Sequence, residues 1–140
     1  MGLMPRFRRS KSNTVFDPEI DHQHGEIDHA GEALQQACHS DASPARIMET
    51  VHALTAVIEA HFAHEERLMR RSHYEFFSWH KQQHDTLRRR VKEFAIEIEA
   101  GDRDAAPALH LFFNKWLHEH TGLTDRMMAS FLRNRRRADA

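Results

Sequence analysis

The stretch HFAHEERLM, residues 61–69, places two histidines and two glutamates within six positions. Imidazole nitrogens and carboxylate oxygens both bind metals and both carry protons. Spacing decides which of them can act together. An α-helix turns about 100° per residue, so residues three or four apart share a face. His61 and Glu65 are one turn apart and can reach one point in space. His64 and Glu66 fall to either side of them, toward solvent. HKQQH, residues 80–84, repeats the arrangement with His80 and His84. The chain holds 13 histidines, enough to ask which share a face with apolar residues.

The elements that must position these groups read as helices. Asp17-Pro18 and Ser43-Pro44 are N-cap and first-turn signatures. Gly101-Asp102 and Gly122 with Thr124 mark further breaks. No segment alternates as a half-buried strand does. The pattern predicts four helices, over 18–39, 43–71, 75–100 and 104–121, and a short fifth over 124–133. Short linkers make successive helices antiparallel. The fold class expected is therefore all-α: an up-down-up-down antiparallel four-helix bundle with a short C-terminal helix.

Each helix carries an inward stripe at steps of three and four. The second reads Ile47, Val51, Leu54, Ile58, His61, Glu65, Leu68, and the third Phe77, His80, His84, Leu87, Val91, Phe94, Ile98. The first reads Ile20, His24, Ile27, Gly31, Leu34, Cys38, and the fourth Leu109, Phe113, Trp116, His120. His22, His29, His39, His52, His64, His73, His110 and His118 do not continue these stripes. A single histidine on such a stripe is ordinarily a hydrogen-bonded core residue. Five of them are a different matter because of their heights. His24 lies early in the first helix, His61 late in the second, His80 and His84 early in the third, and His120 late in the fourth. In an antiparallel bundle these places converge at one end. Five imidazoles and a carboxylate buried at one level are costly without a shared partner, and a metal supplies one. Five histidines exceed what one open site uses, which points to two ions. Two ions need bridging anions. Glu65 is one; Asp125, five residues beyond His120, is the candidate for the second, with Glu119 as its rival.

The bulk properties narrow the classes. At 140 residues the chain suits one domain, and a formal net charge of −1 asks for neither nucleic acid nor anionic lipid. No apolar run approaches the roughly 20 residues of a membrane span. One cysteine, Cys38, cannot form an internal disulfide, and the expected setting is cytoplasmic. Residues 1–14 and 134–140 read as basic, flexible tails flanking a bundle over 15–133, with membrane or nucleic-acid contact as the lesser alternative.

Four pieces together resemble the hemerythrin family, of the single-domain bacterial kind: DHQH with His24, HFAHEERLM with His61 and Glu65, HKQQH with His80 and His84, and WLHEHTGLTD with His120 and Asp125. The likeness runs from about residue 15 to 133. It implies a non-haem di-iron centre in a four-helix bundle, the architecture that includes myohemerythrin. By the same resemblance, His80, His84 and His120 hold one iron, His24 and His61 the other, and Glu65 and Asp125 bridge them with an oxo or hydroxo group. That count leaves one position open on the His24/His61 iron, where dioxygen would bind, in a hydrophobic lining expected to include Phe62 and Trp116. Thr121 and Val57 stand where relatives often have an apolar residue and a tyrosine, which bears on pocket polarity. The function implied is reversible oxygen binding for storage, delivery, scavenging or sensing, with a reductase or a separate sensor or output protein as further partners. The alternatives are a di-iron enzyme acting on peroxide or nitric oxide, and an iron-storage or metal-buffer protein. A ferritin-like oxidase would need Glu-x-x-His pairs on two helices. Here such pairs occur at Glu19–His22, Glu26–His29 and Glu49–His52, off the stripes.

Overall fold

The computed structural model of the chain describes residues 18–139. The helices are α1 (Pro18–His39), α2 (Pro44–Arg71), α3 (Phe77–Glu99), α4 (Ala105–Glu119) and α5 (Asp125–Asp139). Between α4 and α5 lies one wide π-helical turn, His120–Thr124. Helices α1 to α4 each pack on the next, and α4 closes back on α1. This is the expected antiparallel four-helix bundle. The breaks expected at 40–42, 72–74 and 101–103 are present and slightly wider, at 40–43, 72–76 and 100–104. Residues 1–14, expected as a tail, lie outside the described residues.

Two expectations change at the C-terminal end. The chain does not break after His120 but passes through the π turn directly into α5. That helix is also longer than 124–133, and residues 134–139, expected as tail, continue it. Met128, Ala129 and Leu132 give α5 a buried face, which anchors it on the bundle.

The helix ends follow from local chemistry. The Ser43 side chain accepts from the Arg46 N–H at 3.2 Å, with Pro44 at the first helical position. Helix α2 stops in a Schellman motif: the Tyr74 N–H bonds the Met69 carbonyl and the His73 N–H bonds that of Arg70. This needs a left-handed residue, and His73 takes it at φ 55°. Helix α3 stops the same way with Gly101 at φ 92°, the residue type that position favours.

The core falls into two apolar clusters with a polar layer between them. One fills most of the bundle and includes Leu34, Leu54, Phe62, Leu87, Leu109 and Phe113. The other joins Ile20, Met69 and Tyr74 to Met128, Ala129 and Leu132 of α5. Helices α1 and α2 cross from one to the other through their polar stripe residues, Ile20–His24–Ile27 on α1 and Ile58–His61–Glu65–Met69 on α2. The polar layer is thus closed on the α5 side.

Candidate metal centre

The structure brings all seven predicted residues together. His24, His61, Glu65, His80, His84, His120 and Asp125 are each at most 2% exposed. Their donor atoms form two groups with the reach of a metal site: Glu65, His80, His84, His120 and Asp125, and His24, His61, Glu65 and Asp125. Glu65 and Asp125 belong to both. Their two oxygens are divided between the groups. Glu65 turns Oε2 toward His61 Nε2 (3.5 Å) and Oε1 toward Nε2 of His84 (3.0 Å) and His80 (3.4 Å). Asp125 turns Oδ2 toward His24 Nε2 (3.1 Å) and Oδ1 toward Nε2 of His120 (2.9 Å) and His80 (3.3 Å).

The π turn explains how Asp125 arrives there. In a regular helix, five residues carry a side chain about 140° past the starting direction. Here the Asp125 N–H donates to the His120 carbonyl five residues back, the π pattern, which winds the chain less per residue. His120 and Asp125 therefore face the same space. The rival Glu119 is exposed.

The outward ring nitrogens reveal what faces inward. His61 Nδ1–H donates to Gln23 Oε1 (3.0 Å), His84 Nδ1–H to Glu66 Oε2 (2.8 Å) and His120 Nδ1–H to Gln83 Oε1 (3.0 Å). Thr124 Oγ1 adds a second donor to Gln83 Oε1 at 2.7 Å. A neutral imidazole that donates from Nδ1 presents a lone pair at Nε2. These Nε2 lone pairs meet carboxylate oxygens, and His84 Nε2 meets His120 Nε2 at 3.2 Å. Acceptors facing acceptors in a dry interior require cations between them. His61 Nε2, His80 Nε2, Glu65 Oε2 and Asp125 Oδ1 are buried there with no hydrogen-bond partner. The donor set, nitrogen-rich with two carboxylates, fits transition-metal ions.

Without a cation, protons have to fill part of that role. Burial works against a charged His80, but the facing carboxylates of Asp125 and Glu65 outweigh it and push it up to about 9. His120 is raised as well, against its burial, chiefly by Asp125. His61 goes the other way: burial brings it down to about 4, with Glu65 only partly offsetting. Burial pushes Glu65 and Asp125 up too, yet the surrounding histidines hold both well below the usual carboxylate range.

The sequence reading is corrected at Glu66, His64 and His110. Glu66, expected toward solvent, is buried against His84 and Arg88. His64 is half-buried rather than exposed. His110, off the α4 stripe, is 1% exposed and contacts the Asn114 amide at 3.2 Å. Thr121 is buried but donates its hydroxyl to the Leu117 carbonyl at 2.8 Å, within its own helix. The aromatic lining also sits differently. Phe62 stacks flat on His84 (3.8 Å, 7°) and also lies beside the His61 ring (6.0 Å), while Trp116 stacks on His120 (4.4 Å, 14°), so it is Trp116 that covers the three-histidine group instead. His22, His29, His39, His52, His73 and His118 are exposed as expected, which also removes the Glu-x-x-His pairs from any interior site.

Gln23, Gln83 and Glu66 were missed, although a signal exists. Each adjoins a stripe residue in sequence, about 100° away, on the flank that meets the next helix. Their hydrogen bonds join α1 to α2, α3 to the π turn after α4, and α2 to α3.

Among the described residues, no helix is long and apolar enough to cross a membrane. Residues 15–132 match the hemerythrin HHE cation binding domain family. The chain is similar to a bacteriohemerythrin of Pseudomonas aeruginosa, 34% identical over 105 residues, covering 72% of this chain and 65% of the relative. It is also similar to one of Stenotrophomonas maltophilia, 31% identical over 101 residues with the same two shares. For a bacteriohemerythrin of Ralstonia nicotianae the identity is 28% over 123 residues, 81% of this chain and 90% of the relative. The match thus spans just under two thirds of the Pseudomonas and Stenotrophomonas proteins. With that domain match over nearly the whole bundle, and the buried histidine and carboxylate cluster within it, the chain belongs to the hemerythrin family.

Proposed function

We propose that His80, His84 and His120 hold one iron ion, that His24 and His61 hold a second, that Glu65 and Asp125 bridge them, and that the centre binds dioxygen reversibly. One observation carries this reading: each buried carboxylate gives one oxygen to each histidine group. Two ferrous ions so held would supply the electrons and the open position that reversible oxygen binding needs.

The chain's own residues supply the rest. Glu65 and Asp125 offset the repulsion between two cations. Five neutral imidazoles make the site less electron-rich than a carboxylate-dominated one, which disfavours cleavage of the O–O bond. The two-histidine group has one donor residue fewer than its neighbour, so a metal held there would have one position not filled by the protein. The apolar clusters above and below keep bulk water away. Thr121, with its hydroxyl committed to Leu117, has no free proton to offer. The role is oxygen storage, delivery, scavenging or sensing in the cytoplasm, with a reductase to restore the ferrous state and, for sensing, a separate output protein.

The test begins with metal content. Protein loaded anaerobically with excess ferrous iron is expected to retain about two irons per chain, one for each ligand group. Alternating oxygen and argon over that sample is expected to make a visible absorption band appear and vanish repeatedly. Saturation at one ion removes the paired centre. Irreversible oxidation on first exposure, with rapid peroxide consumption, replaces the carrier with an enzyme.

A further inference from the structure

The three outer partners of the histidines are not alike. Gln23 and Gln83 present neutral amide oxygens to His61 and His120, whereas Glu66 presents a carboxylate to His84. Glu66 is 8% exposed, so its charge is not diluted by water. It is held by Arg88, whose Nη1 lies 2.9 Å from Glu66 Oε2. Arg88 is itself fixed by Glu59, at 2.7 and 3.1 Å from Nε, and by Asp85, at 2.8 Å from Nη1. Its guanidinium also lies over the Phe62 ring, 5.1 Å from the centroid, and Phe62 stacks on His84. One arginine therefore orders both groups that touch the outer side of His84.

We infer that Glu66, moderated by Arg88, is a positioning residue that makes His84 a more electron-donating imidazole than His61 and His120 and biases the adjoining metal toward its more oxidised state. The inference rests on the reading of His84 as a metal ligand. An anionic acceptor draws the Nδ1 proton outward and enriches Nε2, as second-shell carboxylates do for metal-bound histidines. Arg88 takes up part of the Glu66 charge and limits that effect. Removing Glu66 and removing Arg88 therefore act in opposite directions.

The experiment equilibrates iron-loaded protein with a one-electron viologen mediator. One electron passes from the reduced mediator to the metal pair, the mediator is oxidised, and no bond is made. At a fixed mediator potential, Glu66→Gln is expected to raise the reduced-to-oxidised ratio of the centre severalfold, and Arg88→Gln to lower it. A purely structural role would loosen His84 in both variants and move both ratios the same way, which overturns the inference; so does an unchanged ratio in Glu66→Gln. Should either variant fail to fold or to retain metal, Gln83→Glu decides. It places a carboxylate behind His120, where two donors already point, and is expected to lower the ratio. No change or a rise there overturns the inference. Metal is counted in every sample. Wild-type protein that holds no iron defeats the ligand reading itself, whereas two irons with unmoved ratios defeat only the role of Glu66.

Discussion

Helices α1 to α3 run through two chemically opposite regions without changing their geometry, and the chain after α4 widens only at its π turn. In the larger apolar cluster, positions such as Leu54, Leu87 and Leu109 are fully buried and stabilise the bundle by leaving water. One or two turns further along the same stripes, His61, Glu65, His80 and His84 are buried just as deeply. There, burial opposes folding unless the groups are paired or bind a cation. Helix phase and burial depth are therefore shared, and only residue type separates the half that builds the scaffold from the layer that the scaffold must hold. The scaffold stabilises itself, and the layer depends on what it binds.

The largest effect expected is metal removal, which strikes the layer alone. A chelator-stripped sample is expected to melt more than about 10 °C below the iron-loaded one, because metal binding free energy is linked to folding. Hydrogen exchange should locate the lost protection around residues 61–69 and 120–128, with amides near Leu54 and Leu109 less affected. Equal melting points would mean the layer is self-sufficient. Within the layer, His61→Ala and Glu65→Ala are expected to lose metal, while His22→Ala, on an exposed neighbour of His24, should retain it in full; metal analysis reads all three.

The converse perturbation is Leu54→Ala. Deleting a fully buried leucine should cost about 2–5 kcal/mol in a denaturant titration. Metal per folded chain is expected to stay the same, and a drop in stoichiometry would show that the two regions are not separable.

A third, smaller effect is pH dependence of the metal-free chain. His80, raised to about 9 in the folded state, contributes stability that is complete below its ordinary value near 6.5 and is lost as pH rises through 9. The contribution is roughly 3 kcal/mol, in the sense that stability falls on the alkaline side. Glu65 and Asp125, held low, act oppositely: their contribution is present above the ordinary carboxylate range and disappears as pH falls. His61, lowered to about 4, adds to that acid limb, which it enters below 6.5. Melting curves of metal-free protein from pH 5 to 10 should show both limbs. Iron loading should flatten the alkaline one, since the metal replaces the proton.

The smallest is a scaffold change far from any ligand chemistry. His73 holds a left-handed conformation that favours glycine. His73→Gly is expected to raise stability by about 0.5–1 kcal/mol without altering the iron count. A loss of stability would show that the His73 side chain has a role its exposure does not suggest.

How much of this was legible beforehand follows the same division. Stripe phase alone led to His24, His61, Glu65, His80, His84 and His120, because a 3.6-residue period fixes which face a residue takes. It could not reach Glu66, Gln23 and Gln83, whose roles depend on side-chain torsions and on the neighbouring helix. Asp125 was found as a candidate, though for a partly mistaken reason: Gly122 and Thr124 suggested a break, where the chain stays helical with a wider turn. His110 was missed because α4 packs against both α1 and α3, so a single stripe understates what it buries. The length of α5 was missed because its arginine-rich end has no apolar spacing, while its anchor, Met128 to Leu132, lies upstream.

The π turn also acts as a phase shifter for everything after it. Asp125 and the buried face of α5 are set to one rotational register, and that register exists because the five residues from His120 to Thr124 are wound as a π turn. Deleting Gly122 would leave a chain fully able to form regular helix. The carboxylate would then stand four residues from His120, about 40° round in a regular helix, so Asp125 and the contacts of Met128 and Leu132 would keep their face together. Bridge and cover are geared to the same winding: tightening the turn to α geometry at its present length would swing both away from the layer by roughly the 100° of one residue.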